Sequence, residues 1–142
     1  MAAAVVACPS CGTRNRVRAN PAAVPKCASC AHRLPWAVDA GEDDFDEEVR
    51  APVPVVLDLW APWCQPCRMV SPILDRLAVD HAGEVKVVSV NVDDAPGLAQ
   101  RFNALSIPTM VVLRDGEEID RIVGADPRLA DRIAPHLGRA SA

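Results

Sequence analysis

Apolar and polar positions divide the chain into two unequal parts. From Ala51 onward, short β-branched and aliphatic runs alternate with segments of 3- and 4-residue apolar spacing. VVLDLW, residues 55–60, reads as a buried strand. RMVSPILDRLAVDHA follows and predicts a helix to about His81, with Val70, Leu74, Leu77 and Ala78 on one face. Pro72 lies inside that helix and predicts a kink. EVKVVSVNV reads as a second strand, APGLAQRFNA as a short helix, TMVVL as a third strand and EIDRIVG as a fourth. Asp115-Gly116 between the last two is a hairpin signal. Asp126 is expected to cap a final helix, with Pro127 at its first position and Leu129, Ile133 and Leu137 on its apolar face. Strand–helix–strand requires a right-handed crossover and a parallel pair. The hairpin adds antiparallel strands. The expected fold class is therefore α/β: a mixed central sheet flanked by helices on both faces. LPWAVDA is a candidate short strand leading into this unit. GEDDFDEEVR fits one or two turns of helix with acids at the positive end of the dipole, and fits an acidic linker equally well.

Residues 1–35 lack such periodicity. Two knuckles, CPSC and CASC, stand around a polar loop containing Pro21 and Pro25. So few apolar residues cannot bury a core, and the segment needs a cross-link to fold. The expected organisation is a small module over 1–35 and an α/β domain over 36–142.

Composition adds limits. Of 142 residues, 50 % are hydrophobic and 24 % charged, which suits a soluble globular protein. Aromatics make up only 4 %, so the core must rest on Val, Leu, Ile and Ala. The formal charge of −4 is too small to imply an electrostatic partner by itself. Its distribution is uneven: no Asp or Glu precedes Asp39, whereas Arg14, Arg16, Arg18, Lys26 and Arg33 do. A basic module raises the possibility of nucleic acid. No Phe or Tyr is interleaved to stack on bases, so a nucleic-acid partner is not expected. No apolar run approaches the roughly 18 residues of a membrane span, so no membrane partner is expected. MAAAVVA lacks a basic n-region and is too short for a signal peptide. The expected location is cytoplasmic. In that reducing compartment six cysteines favour metal binding or catalysis over structural disulfides.

The terminal pairs read C-x2-C-x15-C-x2-C, within the zinc-ribbon range. Cys8, Cys11, Cys27 and Cys30 are thus expected to hold one structural Zn²⁺. Four thiolates on Zn²⁺ leave a charge of about −2, which Arg14, Arg16, Arg18 and Lys26 can offset. Gly12 fits the tight turn after the first knuckle.

The central pair, Cys64 and Cys67 in WCQPC, lies where a strand ends and a helix begins. Free N–H groups and the helix dipole stabilise a thiolate there. Cys64 is therefore expected to be the nucleophile. Cys67, one turn later, can attack a mixed disulfide on Cys64 at high effective concentration. Pro66 stiffens the turn. A zinc half-site would need two further ligands, and the domain offers only His81 and His136, at no ligand-like spacing. Asp58 inside VVLDLW is costly to bury. It is either solvent-facing or a buried acid–base with a raised pKa.

VVLDLWAPWCQPCRMVSPIL resembles the active-site segment of the thioredoxin family. SIPT, RDG and VGA fall where that family has its loop proline, its hairpin turn and a substrate-facing glycine. The resemblance spans about residues 36 to 137. It implies the thioredoxin fold and dithiol–disulfide exchange with oxidised protein substrates, in which Cys64 attacks and Cys67 resolves. Asp58 is then the acid–base beneath Cys67. Trp63, Gln65, Pro66, Ile107, Pro108 and Gly124 form the substrate-binding surface, with a cis Ile107–Pro108 bond. Many members pair the aspartate with a lysine in the next strand; here VNVDDAP aligns Ser89 at that position. Most have glycine where Gln65 puts a bulky amide. With its cysteine-rich N-terminus the chain is similar to the zinc-ribbon-bearing second type, thioredoxin 2. A flavin-dependent thioredoxin reductase is the implied electron donor, since the chain has no nucleotide or flavin motif and so no organic cofactor of its own. A monomer is expected. Two alternatives stand beside this reading: a disulfide oxidant or isomerase that uses the same dithiol, and a redox-inert adaptor whose zinc ribbon recruits a partner.

Overall fold

The computed structural model describes residues 4–17 and 24–138. Arg18 and Pro21 lie outside the described residues. Two strands, β1 (Ala4–Ala7) and β2 (Arg14–Val17), form an antiparallel ribbon. The ribbon and its two cysteine knuckles enclose a small cluster of Cys8, Cys27 and Leu34, with Val6 and Val17 against it.

The rest is a five-stranded mixed sheet in the order β3-β5-β4-β6-β7. Its strands are β3 (Ala37–Asp39), β4 (Val55–Trp60), β5 (Lys86–Asn91), β6 (Thr109–Arg114) and β7 (Glu117–Val123). β3, β5 and β4 run parallel, while β6 is antiparallel to β4 and β7 to β6. Helix α1 (Phe45–Glu48) settles the acidic stretch as a single helical turn. Its Phe45 is buried and meets Phe102 edge-on at 5.5 Å. Helix α2 (Gln65–Asp80) runs through Pro72 without ending. Helix α3 (Pro96–Arg101) and helix α4 (Leu129–Ile133) complete the set.

Strand alternation sorts the core into two layers. Val56, Val87, Met110, Val112 and Ile122 face α2 and α4, against Val70, Leu74, Leu77, Leu129 and Ile133. Leu57, Leu59, Val88, Val90, Val111 and Leu113 face Phe45 of α1 and Leu98 of α3. Asp115 and Gly116 both adopt positive φ, 53° and 81°, as the hairpin signal requires.

One expected boundary is corrected. The last helix does not begin at Pro127 under an Asp126 cap. The Asp126 carboxylate accepts the Arg128 N–H at 2.8 Å, and α4 starts only at Leu129. That contact is the one an N-cap makes, but Asp126 O also accepts the Leu129 N–H at 3.0 Å and closes a tight turn, so helical bonding begins only with the Arg132 N–H on Arg128 O. Leu129 and Ile133 are buried as expected, and Leu137 packs against them after a short 3-10 turn over Ala134–His136.

Candidate redox site and cysteine cluster

β4 ends at Trp60, and the chain turns directly into α2. Ala61 O accepts the Cys64 N–H at 3.1 Å, which closes that turn. Cys64 is the N-cap of α2, and its sulfur accepts the Cys67 N–H at 3.2 Å. A negative sulfur at this position meets an unpaired N–H and the positive end of the helix. Cys64 and Cys67 are joined as a disulfide, with Cα atoms 5.3 Å apart. Both are buried, in a small cluster with Ala61, against which Ile107 packs. The Ile107–Pro108 bond is cis. Pro108 O accepts the Gly124 N–H at 2.8 Å, which ties β7 to this loop. Gln65 and Pro66 are exposed beside the sulfurs. Trp63 is 68 % exposed, yet its indole N–H points at both carboxylate oxygens of Asp93, at 3.1 Å each. Nothing in the local pattern of VNVDDAP marks Asp93 for that contact. It arises because β5 and β4 are neighbours and end on the same side of the sheet.

Asp58, two residues after Val56, shares with it the sheet face that α2 covers. It is 3 % exposed, and its Oδ1 is buried with no hydrogen-bond partner among the described residues. The solvent-facing alternative is thereby excluded. Its register partners are Ser89 of β5 and Met110 of β6, neither of them charged. Lys86, the one cation of β5, points to the opposite face. There its ammonium meets Glu48 at 3.1 Å and lies 4.5 Å from the Trp36 ring centroid, fully buried. Burial, and then the charge of Asp75 on α2, push the Asp58 carboxyl up to about 7.

That direction fixes a pH dependence. The native state keeps a proton on Asp58 that the unfolded chain, near 3.8, has already lost. Stability therefore falls as pH rises from about 4 to about 7 and is level above. Asp58→Asn is expected to raise stability at pH 8 by up to roughly 4 kcal/mol, and to change little at pH 4. Urea unfolding at both pH values checks this; an equal gain at both would show that the charge is not the cause. Ser89→Lys places a cation opposite Asp58 and should lower its titration midpoint, read by NMR. An unchanged or higher midpoint would reject the view that an uncharged neighbour leaves Asp58 easily protonated.

The four N-terminal cysteines form the second centre. Their sulfurs all lie within 4.8 Å of one another, and Cys8–Cys30 and Cys11–Cys27 are each 3.6 Å apart. A tetrahedron with bonds of about 2.3 Å has edges of about 3.8 Å, so this set fits one metal ion. The two knuckles repeat one geometry. Cys8 O accepts the Gly12 N–H and Cys27 O the Ala31 N–H, at 2.9 Å each. Cys8 and Cys27 sulfurs each accept an N–H at 3.4 Å, from Ser10 and Ser29. Gly12 and Ala31 both take positive φ, 79° and 63°, so the second knuckle makes with alanine a turn that favours glycine. The backbone of Cys30, then the Ser29 N–H, pull the Cys27 thiol down to about 6. At Cys30 the His32 backbone also pulls down, but burial and the neighbouring sulfurs outweigh it and push the thiol up to about 12. Easy formation of one thiolate and resistance to the last is what a cation would relieve. Arg14, Arg16 and Lys26 are exposed, and none of them hydrogen-bonds a sulfur; the backbone does that work. His81 and His136 are engaged elsewhere, with Glu84 at 3.2 Å and Asp120 at 2.9 Å.

The sequence profile of the family described as Thioredoxin matches residues 37–135, which contain the Cys64–Cys67 disulfide. The chain belongs to the thioredoxin family. It is 45 % identical over 96 residues to thioredoxin 1 of Synechococcus elongatus, covering 66 % of this chain and 90 % of that one. It is 40 % identical over 102 residues to the chloroplastic M-type thioredoxin of Spinacia oleracea, covering 70 % of this chain and 56 % of the other. The crystal structure of the Malassezia sympodialis thioredoxin superposes with a TM-score of 0.65 at 33 % identity, over 71 % of this chain and 90 % of that one. Thioredoxins are thiol–disulfide oxidoreductases, and the Cys64–Cys67 disulfide fits such a CxxC site. The matched region begins after the cysteine cluster. No helix among the described residues is long and apolar enough to cross a membrane.

Proposed function

We propose that the chain is a protein-disulfide reductase of thioredoxin type, with an independent zinc ribbon over residues 1–35 and its redox domain over 36–142. The observation that carries it is Cys64 at the N-cap of α2, bonded to Cys67, with the buried and unpartnered Asp58 on the sheet face below that helix. In the reduced protein the Cys64 thiolate attacks one sulfur of a substrate disulfide, whose other sulfur leaves as a thiolate. Cys67 then gives up its proton, attacks the Cys64 sulfur and releases the second substrate thiolate. Two electrons pass to the substrate, and the Cys64–Cys67 disulfide remains. A carboxyl that titrates near 7 can take and return that proton at neutral pH. Trp63, Gln65, Pro66, Ile107, Pro108 and Gly124 serve as the docking surface, a reading supported by Ile107 against the sulfur cluster and by the Gly124 N–H bonded to Pro108 O. Cys8, Cys11, Cys27 and Cys30 hold one Zn²⁺, whose role is structural: their sulfur separations suit it, and no helix N-terminus activates them. A thioredoxin reductase supplies the electrons, and the site of action is a reducing compartment, the cytoplasm. Insulin reduction driven by NADPH and thioredoxin reductase tests the reading. No turnover by folded, metal-loaded protein would reject it in favour of an adaptor.

A further inference from the structure

The rim of the dithiol is apolar on two opposite sides, and one side is built by a residue the redox chemistry does not use. Leu105 is 90 % exposed, the most exposed large apolar side chain among the described residues. Such exposure is costly unless something covers it. The loop holds it outward by construction. Asn103 adopts φ of 52°, and its N–H and that of Ala104 return to Gln100 O and Ala99 O, at 3.0 and 2.9 Å. Two residues after Leu105, Ile107 packs against the sulfur cluster. The Thr109 hydroxyl donates to Ser106 O and pins the segment between.

Sheet order sets where this knob stands. β4 carries the dithiol at its end, β5 lies on one side of β4 and β6 on the other. Trp63 is tethered to Asp93, just beyond β5. Leu105 lies in the segment that leads into β6. An exposed indole and an exposed isobutyl group therefore stand toward opposite neighbours of the strand that carries the sulfurs. Ile107 joins the Leu105 loop to the sulfur cluster, so the occupant of this surface is whatever carries the substrate disulfide. Charged residues next to that disulfide would lose water against Leu105 without gaining a partner. Bulky apolar ones would bury area on both sides.

We infer that Leu105 is a specificity-determining residue, which together with Trp63 selects protein disulfides whose cysteine is flanked by bulky aliphatic or aromatic residues. This rests on the reductase reading of the dithiol. The test uses the reduced full-length protein and three oxidised probes: a peptide disulfide with leucine beside cysteine, the same peptide with aspartate there, and glutathione disulfide. Second-order rate constants are followed by tryptophan fluorescence. The wild type should prefer the leucine peptide over the aspartate peptide, and Leu105→Ser should shrink that ratio by roughly five- to twentyfold, the scale of a leucine side chain buried in part. Val79→Ser, an exposed apolar residue on α2 away from the rim, should leave the ratio as in wild type. Equal rates on both peptides, or a ratio unmoved by Leu105→Ser, overturns the inference while the reductase reading stands. Failure to reduce any of the three probes removes the reading beneath it.

Discussion

Cys67→Ser is expected to turn the protein from a catalyst into a trap. Its Cys64 still attacks a substrate disulfide, but nothing resolves the product, and a long-lived mixed disulfide accumulates. The resolving thiol is held in the same helical turn, with its Cα 5.3 Å from that of Cys64. Such placement corresponds to effective concentrations of about 10⁵ M or more, which no solution thiol matches. Turnover should fall by roughly a thousandfold or more. Cys64→Ser should abolish turnover and form no adduct. Cys67 lies one turn into the helix and lacks the N-cap position that stabilises a thiolate at Cys64, so it is poorly placed to begin an attack. Non-reducing electrophoresis and mass mapping of the adduct read the outcome. An adduct through Cys67 in the Cys64→Ser protein would reverse the assigned roles.

Removing the proposed Zn²⁺ is the second large perturbation. The buried set of the N-terminal module is Cys8, Cys27 and Leu34, with Val6 and Val17 in support. A cluster of that size cannot offset the entropy of ordering the segment. A strong chelator at neutral pH is thus expected to melt the ribbon, with amide exchange over residues 4–17 and 24–34 rising to unprotected rates. The sheet has its own two-layer core and should keep its protection and its unfolding midpoint within a few degrees. Loss of the whole fold on chelation would show instead that Arg33, whose side chain lies against Gly83, and the buried Trp36 make one cooperative unit of both parts.

Much of the fold was legible because it depends on short-range rules. VVLDLW, EVKVVSVNV and TMVVL are strands wherever they bury both faces, and Asp115-Gly116 demands its hairpin. α4 starts later than its local signals predict because residues 126–129 close a tight turn first, and sequence does not rank that turn against the helix. GEDDFDEEVR stayed ambiguous because one buried ring, Phe45 against Phe102, decides between turn and linker, and that ring's partner lies 57 residues away. At the site, the cysteine spacings announced both sulfur centres. The Asp93 tether of Trp63 and the outward Leu105 left no comparable trace.

The chain by itself therefore determines its elements, its two kinds of cysteine pair and the resemblance that names its chemistry. These follow from spacing, propensity and the intrinsic reactivity of a thiol at a helix start. Only the tertiary structure decides the environments. It buries Asp58 between Ser89 and Met110 without a cation and sends Lys86 to Glu48 on the other face. It also tethers Trp63 to Asp93 and turns Leu105 outward in the loop before β6. Each of these depends on strands being neighbours in the sheet while their residues are far apart in the chain. The electrostatic and packing energies that tune the site act over a few ångströms of space, whatever the separation in sequence.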